Sequence, residues 1–574
     1  MNSKLLSPFW LVSAAVALSF AWLLPNHSSP WVGFHGDAWA ASILAIVGLW
    51  IVFRGKSEVK WHLLTLTIAL FSLVPLFQYM AGQIPVWGTA WINSAYMLGF
   101  LFAIQSGERW ELESPGQCAD FLFTAILLAS IVSVGIQFYQ WLMPESPGLW
   151  TLFVQGRSRF YANMAQPNQL ASLLLLGLVS CSWGFYRRRL NSVFSILFSI
   201  FLLTGIALTE SRTAWVNLAL LAGGAISWRK ALPSKQYLWT TLSLGTYFIL
   251  CVFFLSKFGD YFGGSAVGAY RSPIDDPRLG AWKMLFDASL HKPFFGFGWG
   301  QLANANFLVI ENYPQQGGLF NQSHNLILDI ILWNGYPLGL IAVSILGYWV
   351  FKVFTHPRDF KQIHLISFIA ILGIHSMLEY PLHYAYFLLP FGIFVGAINT
   401  SLKIGVIGSK NTIFYLLICI ISTITLAITI RDYFIVEKSF YGLRFENRKI
   451  STDIPSTPPN VIVLTQFYDY LKFARNIPQN NVKPDTLKWM SDTVNAMPSA
   501  LVMYKLAENL AMNKQPDEAK KWLLRICKTT PDPNCQVMRG TWTTMALENT
   551  EIAAVSWPED FLGISQAETG SASE

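Results

Sequence analysis

Two arginines and one histidine are the residues of this chain whose types and positions could do chemistry. Arg212 lies between two long apolar runs, where a cation is costly unless it binds something anionic. Arg278 and His324 lie in a later polar segment. Guanidinium groups bind phosphate oxygens in a bidentate way and keep their charge when partly buried. Arg212 and Arg278 therefore predict a pyrophosphate site, with His324 as a nearby proton acceptor.

Arg278 and His324 also have purely structural interpretations. Arg278 could form an ion pair with Asp275 or Asp276, and His324 could be a satisfied histidine at a helix end. A metal site is the competing chemistry. Adjacent aspartates on an extended chain point apart, and no Asp-x-Asp or His-x-x-x-His spacing occurs outside the apolar runs. We therefore expect no metal site and no cofactor.

A segment rich in glycine and aromatic residues, 293–300, precedes His324 in the same polar region. It is not a nucleotide-binding loop, because no Lys-Ser or Lys-Thr pair follows it and no strand and helix flank it. We expect a turn whose aromatic side chains act as anchors at the membrane interface.

The composition shows what must position these residues. Hydrophobic residues make up 53% of the 574 residues and charged residues only 13%, which is typical of a polytopic membrane protein. We predict an all-α fold with about 13 transmembrane helices, since runs of about 17 to 25 apolar residues span the hydrocarbon core. These runs begin near Phe9, Trp39, Trp61, Gly88, Ala119, Asn168, Ser192, Ala214, Leu238, Tyr336, Ile363, Tyr384 and Thr412.

Lysines and arginines between the runs indicate the orientation. The loops after the second, sixth, eighth, tenth and twelfth runs are basic, whereas the short loops 24–37, 80–87 and 379–383 contain no Lys or Arg. The positive-inside rule places the basic loops in the cytoplasm, with the N-terminus inside and the C-terminus outside. The first run could instead be a signal peptide, which would leave the later topology unchanged. The net charge of +7 mostly reflects this bias, and no basic run with interleaved aromatics indicates nucleic acid.

The tail after Arg431 is polar and contains prolines, which predicts a soluble domain outside the membrane. Residues 500–531 are typical of two amphipathic helices joined by a turn, and they resemble one tetratricopeptide-like (TPR-like) hairpin. A single hairpin cannot bury its own apolar face, so a general helical cap and a peptide-binding repeat are both open. Cys527 and Cys535 share this domain in a short loop with two prolines, and an oxidising compartment would favour a disulfide between them.

An ordered set of short motifs resembles the O-antigen ligase superfamily. In chain order the motifs are Gln166-Pro167-Asn168, Glu210-Ser211-Arg212, Asp276-Pro277-Arg278 with Trp282, Ser323-His324-Asn325 and Glu379-Tyr380-Pro381. Within the superfamily, the chain most resembles the PglL-type protein O-oligosaccharyltransferases of Gram-negative bacteria. The resemblance covers essentially the whole chain, and the ordered set is more specific than any single motif.

The resemblance implies a glycosyltransferase of the bacterial inner membrane that moves a preassembled oligosaccharide from undecaprenyl pyrophosphate to Ser or Thr hydroxyls of pilins or other periplasmic proteins. It implies that Arg212 and Arg278 hold the pyrophosphate and that His324 assists the acceptor. It also implies substrate-binding roles for Gln166, Asn168 and Tyr380. Gln166 could equally be a helix-start residue followed by a first-turn proline, and Tyr380 could be only an interfacial anchor.

The expected organisation is a transmembrane catalytic domain at 1–430, with a large periplasmic loop at 257–333, and a periplasmic helical domain at 431–574. The N-terminus would be cytoplasmic. The expected partners are a lipid-linked oligosaccharide donor, an acceptor protein and the lipids of the inner membrane, with no nucleic acid. The assignment requires Arg212, Arg278 and His324 to meet in one positively charged pocket at the outer leaflet.

Other functions share some of these features. O-antigen ligases transfer the glycan to lipid A core and polymerases extend the glycan, and the same arginines and histidine would serve both. A transporter or flippase is the alternative from another class. Against it, the sequence has no obvious internal repeat and no matching pair of Gly/Pro-broken apolar segments. His375 and Glu379 are the pair of ionisable residues that hints at a carrier.

Overall fold

The computed structural model describes residues 5–58, 60–143, 148–154, 159–261, 277–315, 318–355, 359–402, 406–409 and 412–558. Helices account for most of these residues. The helices of the first half are α1 Pro8–Ser19, α2 Phe34–Arg54, α3 Leu63–Phe71, α4 Val74–Met80, α5 Trp87–Glu113, α6 Gln117–Leu142, α7 Pro167–Tyr186, α8 Ser192–Leu208, α9 Arg212–Ser227 and α10 Lys235–Tyr261.

Two short helices, α11 Pro277–His291 and α12 Leu302–Val309, lie in the predicted external loop. The next long apolar helices are α13 Leu326–Thr355, α14 Phe360–Ser376, α15 Ala385–Asn399 and α16 Thr412–Asn447. The C-terminal region consists of α17 Thr465–Ala474, α18 Pro484–Ala496, α19 Ala500–Met512, α20 Pro516–Thr529, α21 Asp532–Glu548 and α22 Thr550–Ala553. Two short strands, β1 Lys60–His62 and β2 Val406–Ser409, pair antiparallel.

A helix lies at each of the thirteen predicted apolar runs, and the third run is divided between α3 and α4. Within the described residues, seven helical segments are long and apolar enough to cross a membrane. These segments are Phe34–Arg54, Leu63–Met80, Gln117–Leu142, Pro167–Tyr186, Lys235–Leu255, Leu326–Thr355 and Ile413–Asn447. The chain is therefore an α-helical membrane protein with several apolar helices, while thirteen crossings and their orientation stay predictions.

Two compact units divide the chain. The first unit comprises Met1–Leu70, Tyr96–Arg271 and Ser344–Leu426, and the second comprises Phe71–Ala95, Ser272–Val343 and Ala427–Glu574. Arg212, Gln166, Asn168 and Tyr380 belong to the first unit. Arg278, His324 and the two C-terminal cysteines belong to the second.

Helix α7 is the centre of the first unit. It packs against α6, α8 and α14, and its residues are mostly buried. The close approach to α6 depends on Gly177, because a Cβ there would lie 2.6 Å from the hydroxyl oxygen Oγ of Ser130. The same hydroxyl donates a hydrogen bond to the carbonyl oxygen of Leu173 at 3.0 Å. This packing fixes the position of α7, whose first turn carries Asn168.

In the second unit, α13 is interrupted at Gly335, where φ is 74°. The segment 293–300 fills the interruption: the N–H of Tyr336 donates to the carbonyl of Pro293 at 2.7 Å. A Cβ on Gly335 would lie 2.4 Å from the carbonyl oxygen of Phe294, so the close contact requires glycine. The segment therefore packs into the broken helix and is more than a surface turn.

For Phe297 and Trp299, this packing corrects the expectation that the aromatic residues of the segment 293–300 are interface anchors, while for Phe294 and Phe295 the expectation stays a prediction. Phe297 and Trp299 are buried, and Trp299 stacks on Trp333 with ring centroids 4.4 Å apart. Phe294 and Phe295 are exposed. The two buried rings instead help to hold together the region that precedes His324.

The C-terminal helices contain the predicted hairpin, formed by α19 and α20 packed against each other. Cys527 and Cys535 form a disulfide, with their Cα atoms 5.1 Å apart. The sequence suggested that both cysteines lie in a loop, but Cys527 lies near the end of α20 and Cys535 near the start of α21. A peptide-binding, TPR-like role for this hairpin stays a prediction.

Candidate functional site

Gln166 lies immediately before α7 and has two roles there. Its side-chain oxygen accepts a hydrogen bond from the N–H of Gln169 at 2.7 Å, so it caps the helix, and Pro167 occupies the first turn. Its Nε2 donates to the Oε2 of Glu379 at 2.7 Å. The helix-start interpretation is therefore correct, and the capped geometry also aims the amide at a carboxylate.

Asn168 donates from Nδ2 to the other oxygen of Glu379, Oε1, at 2.6 Å. The Oδ1 of Asn168 accepts a hydrogen bond from the guanidinium of Arg159 at 2.7 Å. Arg159 also donates from Nε to the carbonyl oxygen of Thr209 at 2.9 Å. We call Arg159, Gln166, Asn168 and Glu379 the amide–carboxylate network.

The network is mostly buried: Asn168 is 5% exposed and Glu379 is 7% exposed. A buried carboxylate is costly unless donors compensate it, and here amide N–H groups bind both oxygens. The network thus stabilises Glu379 in a fixed orientation beside Tyr380. Through Asn168, the network also links the Glu379 carboxylate to the guanidinium of Arg159.

Tyr380 follows Glu379 directly and precedes the short 3-10 helix Pro381–His383. Its ring lies 5.8 Å from His383 and is stacked 6.2 Å from Tyr384, between centroids. Burial, and then the adjacent Glu379 carboxylate, raise the pKa of Tyr380 above its ordinary value of 10.0. The phenol therefore keeps its proton near neutral pH and can act as a hydrogen-bond donor.

Arg212 is the first residue of α9, and its side chain is exposed. Ser211 caps the helix by accepting from the N–H of Ala214 at 3.4 Å. Glu210, one residue earlier, has a φ of 50°, a conformation that costs a residue with a Cβ some free energy. Thr209, the carbonyl partner of Arg159, ends the preceding turn, so the start of α9 is linked to the amide–carboxylate network.

His324 lies two residues before α13 in a left-handed conformation with φ of 58°. The neighbouring Ser323 donates from its N–H to Oδ1 of Asp329 at 2.8 Å, and its carbonyl accepts from Nε1 of Trp282 at 2.8 Å. Arg278 occupies the first turn of α11, one turn before Trp282. The structure thus brings the helix of Arg278 against the turn of His324.

The ion-pair interpretation of Arg278 and the expected lack of a metal site depend on residues that the structure describes only in part. Asp275 and Asp276, the alternative partners of Arg278, lie outside the described residues. Over the described part of the chain, no group of three His, Cys, Asp or Glu side chains could hold a metal ion.

Sequence reasoning gave no role to Arg159, and it considered Glu379 only as part of the Glu-Tyr-Pro motif and as a hint of a carrier. A signal for Arg159 was available. It lies in the segment between α6 and α7, which the predicted topology places outside the membrane, where the positive-inside rule makes cations unusual. The signal for Glu379 is its place beside Tyr380 in the Glu-Tyr-Pro motif.

Family models match three parts of the chain. Residues 161–183 match a model described as protein glycosylation ligase, residues 197–343 match O-antigen ligase, and residues 363–536 match the C-terminal part of a virulence factor membrane-bound polymerase. The first region contains Gln166 and Asn168. The second contains both candidate arginines and His324.

The chain is also similar to two proteins of Acinetobacter baylyi. It is 28% identical to a general O-oligosaccharyltransferase over 530 residues, which are 89% of this chain and 90% of that protein. It is 25% identical to a ComP-specific O-oligosaccharyltransferase over 437 residues, which are 72% of this chain and 75% of that protein. The helical membrane fold, the ordered motifs and these matches make the chain similar to the O-antigen ligase superfamily. Within that superfamily its similarity is to the PglL-type protein O-oligosaccharyltransferases.

Proposed function

We propose that this protein transfers a preassembled oligosaccharide from undecaprenyl pyrophosphate to Ser or Thr hydroxyls of periplasmic proteins or pilins. The observation that carries the proposal is the pair of amides, Gln166 and Asn168, that hold Glu379 beside Tyr380. Gln166 and Asn168 lie within the segment that matches a protein glycosylation ligase. The similarity to two O-oligosaccharyltransferases over most of the chain supports the same reaction.

The donor would be held through its pyrophosphate. Arg212 and Arg278 supply two guanidinium groups, which bind phosphate oxygens in a bidentate way. Negative charge on the pyrophosphate grows as the glycosidic bond breaks, and fixed cations lower that barrier without a metal ion. One such preorganised contact is worth on the order of 3 kcal/mol of transition-state free energy.

The acceptor hydroxyl is a poor nucleophile and needs a base. In the proposed step, His324 takes the hydroxyl proton while the oxygen attacks the anomeric carbon of the glycan. The bond from that carbon to the pyrophosphate oxygen breaks, and the pyrophosphate leaves with the electron pair. Gln166, Asn168 and Tyr380 would contribute to substrate binding.

That Arg212, Arg278 and His324 act on the same donor and acceptor is part of the proposal. So are about 13 crossings, each made by an apolar run long enough to span the hydrocarbon core. An inner-membrane location, with a cytoplasmic N-terminus and a periplasmic domain at 431–574, completes it. The basic loops predicted to face the cytoplasm and the Cys527–Cys535 disulfide support this orientation.

The proposal is tested by reconstitution of the purified protein in liposomes with a lipid-linked oligosaccharide and a candidate pilin. A mass increase on Ser or Thr of the pilin, equal to the glycan, is the expected result. Transfer to lipid A core or growth of the lipid-linked glycan would instead assign the ligase or polymerase reaction. Movement of the donor across the bilayer without any transfer would favour a flippase.

A further inference from the structure

Arg159 binds two acceptors that come from the ends of two different helices. Its Nε donates to the carbonyl of Thr209, just after α8, at 2.9 Å. A terminal nitrogen donates to the side chain of Asn168, in the first turn of α7, at 2.7 Å. A planar guanidinium holds two such acceptors in fixed relative directions, whereas a lysine ammonium does not have this planar fork.

The carbonyl of Thr209 belongs to the turn that determines where α9 starts. Glu210 adopts a φ of 50°, which persists in a residue with a Cβ only where the surroundings hold it. Ser211 then caps α9, and Arg212 is its first residue. A bond that fixes the Thr209 carbonyl therefore also fixes the direction in which Arg212 leaves the backbone.

On its other side, Arg159 reaches the candidate substrate-binding residues. Asn168, which accepts from Arg159, in turn donates to one carboxylate oxygen of Glu379 at 2.6 Å, and Gln166 donates to the other oxygen at 2.7 Å. Ala165, just before Gln166, has a φ of 58°. Both ends of the link thus lie beside a backbone turn in an uncommon conformation, as is frequent at functional sites.

We propose that Arg159 is a positioning residue that ties the start of α9 to the amide–carboxylate network, so that Arg212 and Gln166 keep one relative arrangement. This inference rests on the proposed glycan transfer, in which Arg212 binds the donor. Arg159 acts through Arg212 and is not assigned a contact with the substrate.

Amide hydrogen exchange tests the positioning without an activity assay. Arg159→Lys should raise the exchange of the amides of residues 210–214 several-fold, because the Thr209 carbonyl loses a fixed donor. Arg188→Lys, at an exposed arginine of the same compact unit, is the matched control and should leave that exchange unchanged. Exchange in α6, Gln117–Leu142, of the same compact unit reports on whether the variants remain folded. Unchanged exchange at residues 210–214 in a folded Arg159→Lys protein overturns the proposal.

The coupling to Arg212 is tested by glycan transfer. Arg159→Lys alone should lower the transfer rate about tenfold, as expected when a hydrogen bond from a charged group is lost. The double variant Arg159→Lys/Arg212→Lys should be no slower than Arg212→Lys alone, because residues that act through one another are not additive. Losses that multiply would show that Arg159 acts independently and would overturn the inference. Absence of transfer by the wild type would instead refute the proposed function, while the exchange experiment would still measure the positioning.

Discussion

Asn168 and Glu379 are 211 positions apart in the chain, yet the side-chain amide of one donates to the carboxylate of the other at 2.6 Å. The second carboxylate oxygen accepts from Gln166 at 2.7 Å. Each oxygen of Glu379 therefore has an amide donor, and the arrangement suits a carboxylate and not a neutral amide. This relationship makes Glu379 a residue whose chemical type can be tested by a nearly isosteric change.

Glu379→Gln should lower the rate of glycan transfer by roughly ten- to a hundredfold, which corresponds to about 1.4 to 3 kcal/mol for a lost charged hydrogen bond and an opposed pair of donors. The new NH₂ group would face the amide of Gln166 or of Asn168. The rate is measured with purified protein, lipid-linked donor and acceptor. Glu58→Gln, at an exposed carboxylate of the same compact unit, is the control and should transfer at the wild-type rate. Equal rates for both variants would remove Glu379 from the site.

Arg212→Lys should fail nearly as badly as Arg212→Ala. The lysine keeps the charge but loses the planar fork that binds two phosphate oxygens, and the loss of one preorganised contact costs about a hundredfold in rate. Arg212 is exposed at the first position of α9, so neither change should alter folding. Arg188→Lys is again the matched control. Wild-type transfer by the Arg212→Lys protein would contradict a bidentate role.

His324→Asn separates the catalytic and structural interpretations of this histidine. Asparagine tolerates the left-handed conformation that His324 adopts at a φ of 58°, so the turn before α13 should survive while the base is lost. Transfer should fall by about a hundredfold to ten-thousandfold, the usual contribution of a general base. A structural histidine would be replaced with little loss of rate.

The control for this variant is Lys449→Asn, at an exposed residue of the second compact unit with a φ of 54°. It makes the same type of change in the same backbone conformation, far along the chain from the motifs. Transfer by Lys449→Asn should match the wild type. The two variants are compared at equal amounts of folded protein, measured by size-exclusion chromatography.

Apolar length and residue type were enough to predict much of this fold. A helix lies at each of the thirteen runs, with the third run divided between α3 and α4, as expected for apolar runs that satisfy their backbone hydrogen bonds internally. The hairpin of α19 and α20 follows from helical periodicity in the same way. The cysteine pair was predicted because both lie in the one polar tail.

The amide–carboxylate network could be predicted only in part. The motifs contain Gln166, Asn168 and Glu379, but nothing local shows that Arg159 joins them, because that bond depends on how α7 and α8 pack. The interruption of α13 at Gly335 is likewise a tertiary feature, created where the carbonyl of Phe294 approaches the helix. Periodicity describes one segment at a time and is silent on such contacts.

Removal of the Cys527–Cys535 disulfide should loosen the contact between α20 and the segment before His324. Gln315 donates from Nε2 to the carbonyls of Cys527 at 2.9 Å and Thr530 at 2.7 Å, and the disulfide fixes the end of α20 that presents them. The two cysteines have a sequence separation of 8, and closing so short a loop stabilises by about 2.5 kcal/mol in the chain-entropy estimate.

The double variant Cys527→Ala/Cys535→Ala should therefore raise amide exchange in residues 302–315 and lower the melting temperature. Cys251→Ala, at a half-buried free cysteine of the first compact unit, controls for the loss of a cysteine and should not change exchange in that segment. Unchanged exchange in the double variant would mean that α20 presents its carbonyls without the crosslink.

Glu508 should make the C-terminal domain less stable as the pH rises. It lies on α19, is 8% exposed, and burial raises its pKa from 4.5 to about 7, against the opposing effect of Lys505. Between pH 4.5 and about 7 the folded form binds more protons than the unfolded chain, so the free energy of unfolding falls across this window. Glu508→Gln removes the titrating group and should stabilise the domain at pH 8 by up to about 3 kcal/mol, with little gain at pH 4.5.

Thermal unfolding in detergent measures the stability at both pH values, and Glu518→Gln, at an exposed carboxylate on α20, is the control that should show no such pH-dependent gain. A stabilisation by Glu508→Gln that is equal at both pH values would show that the effect does not come from ionisation.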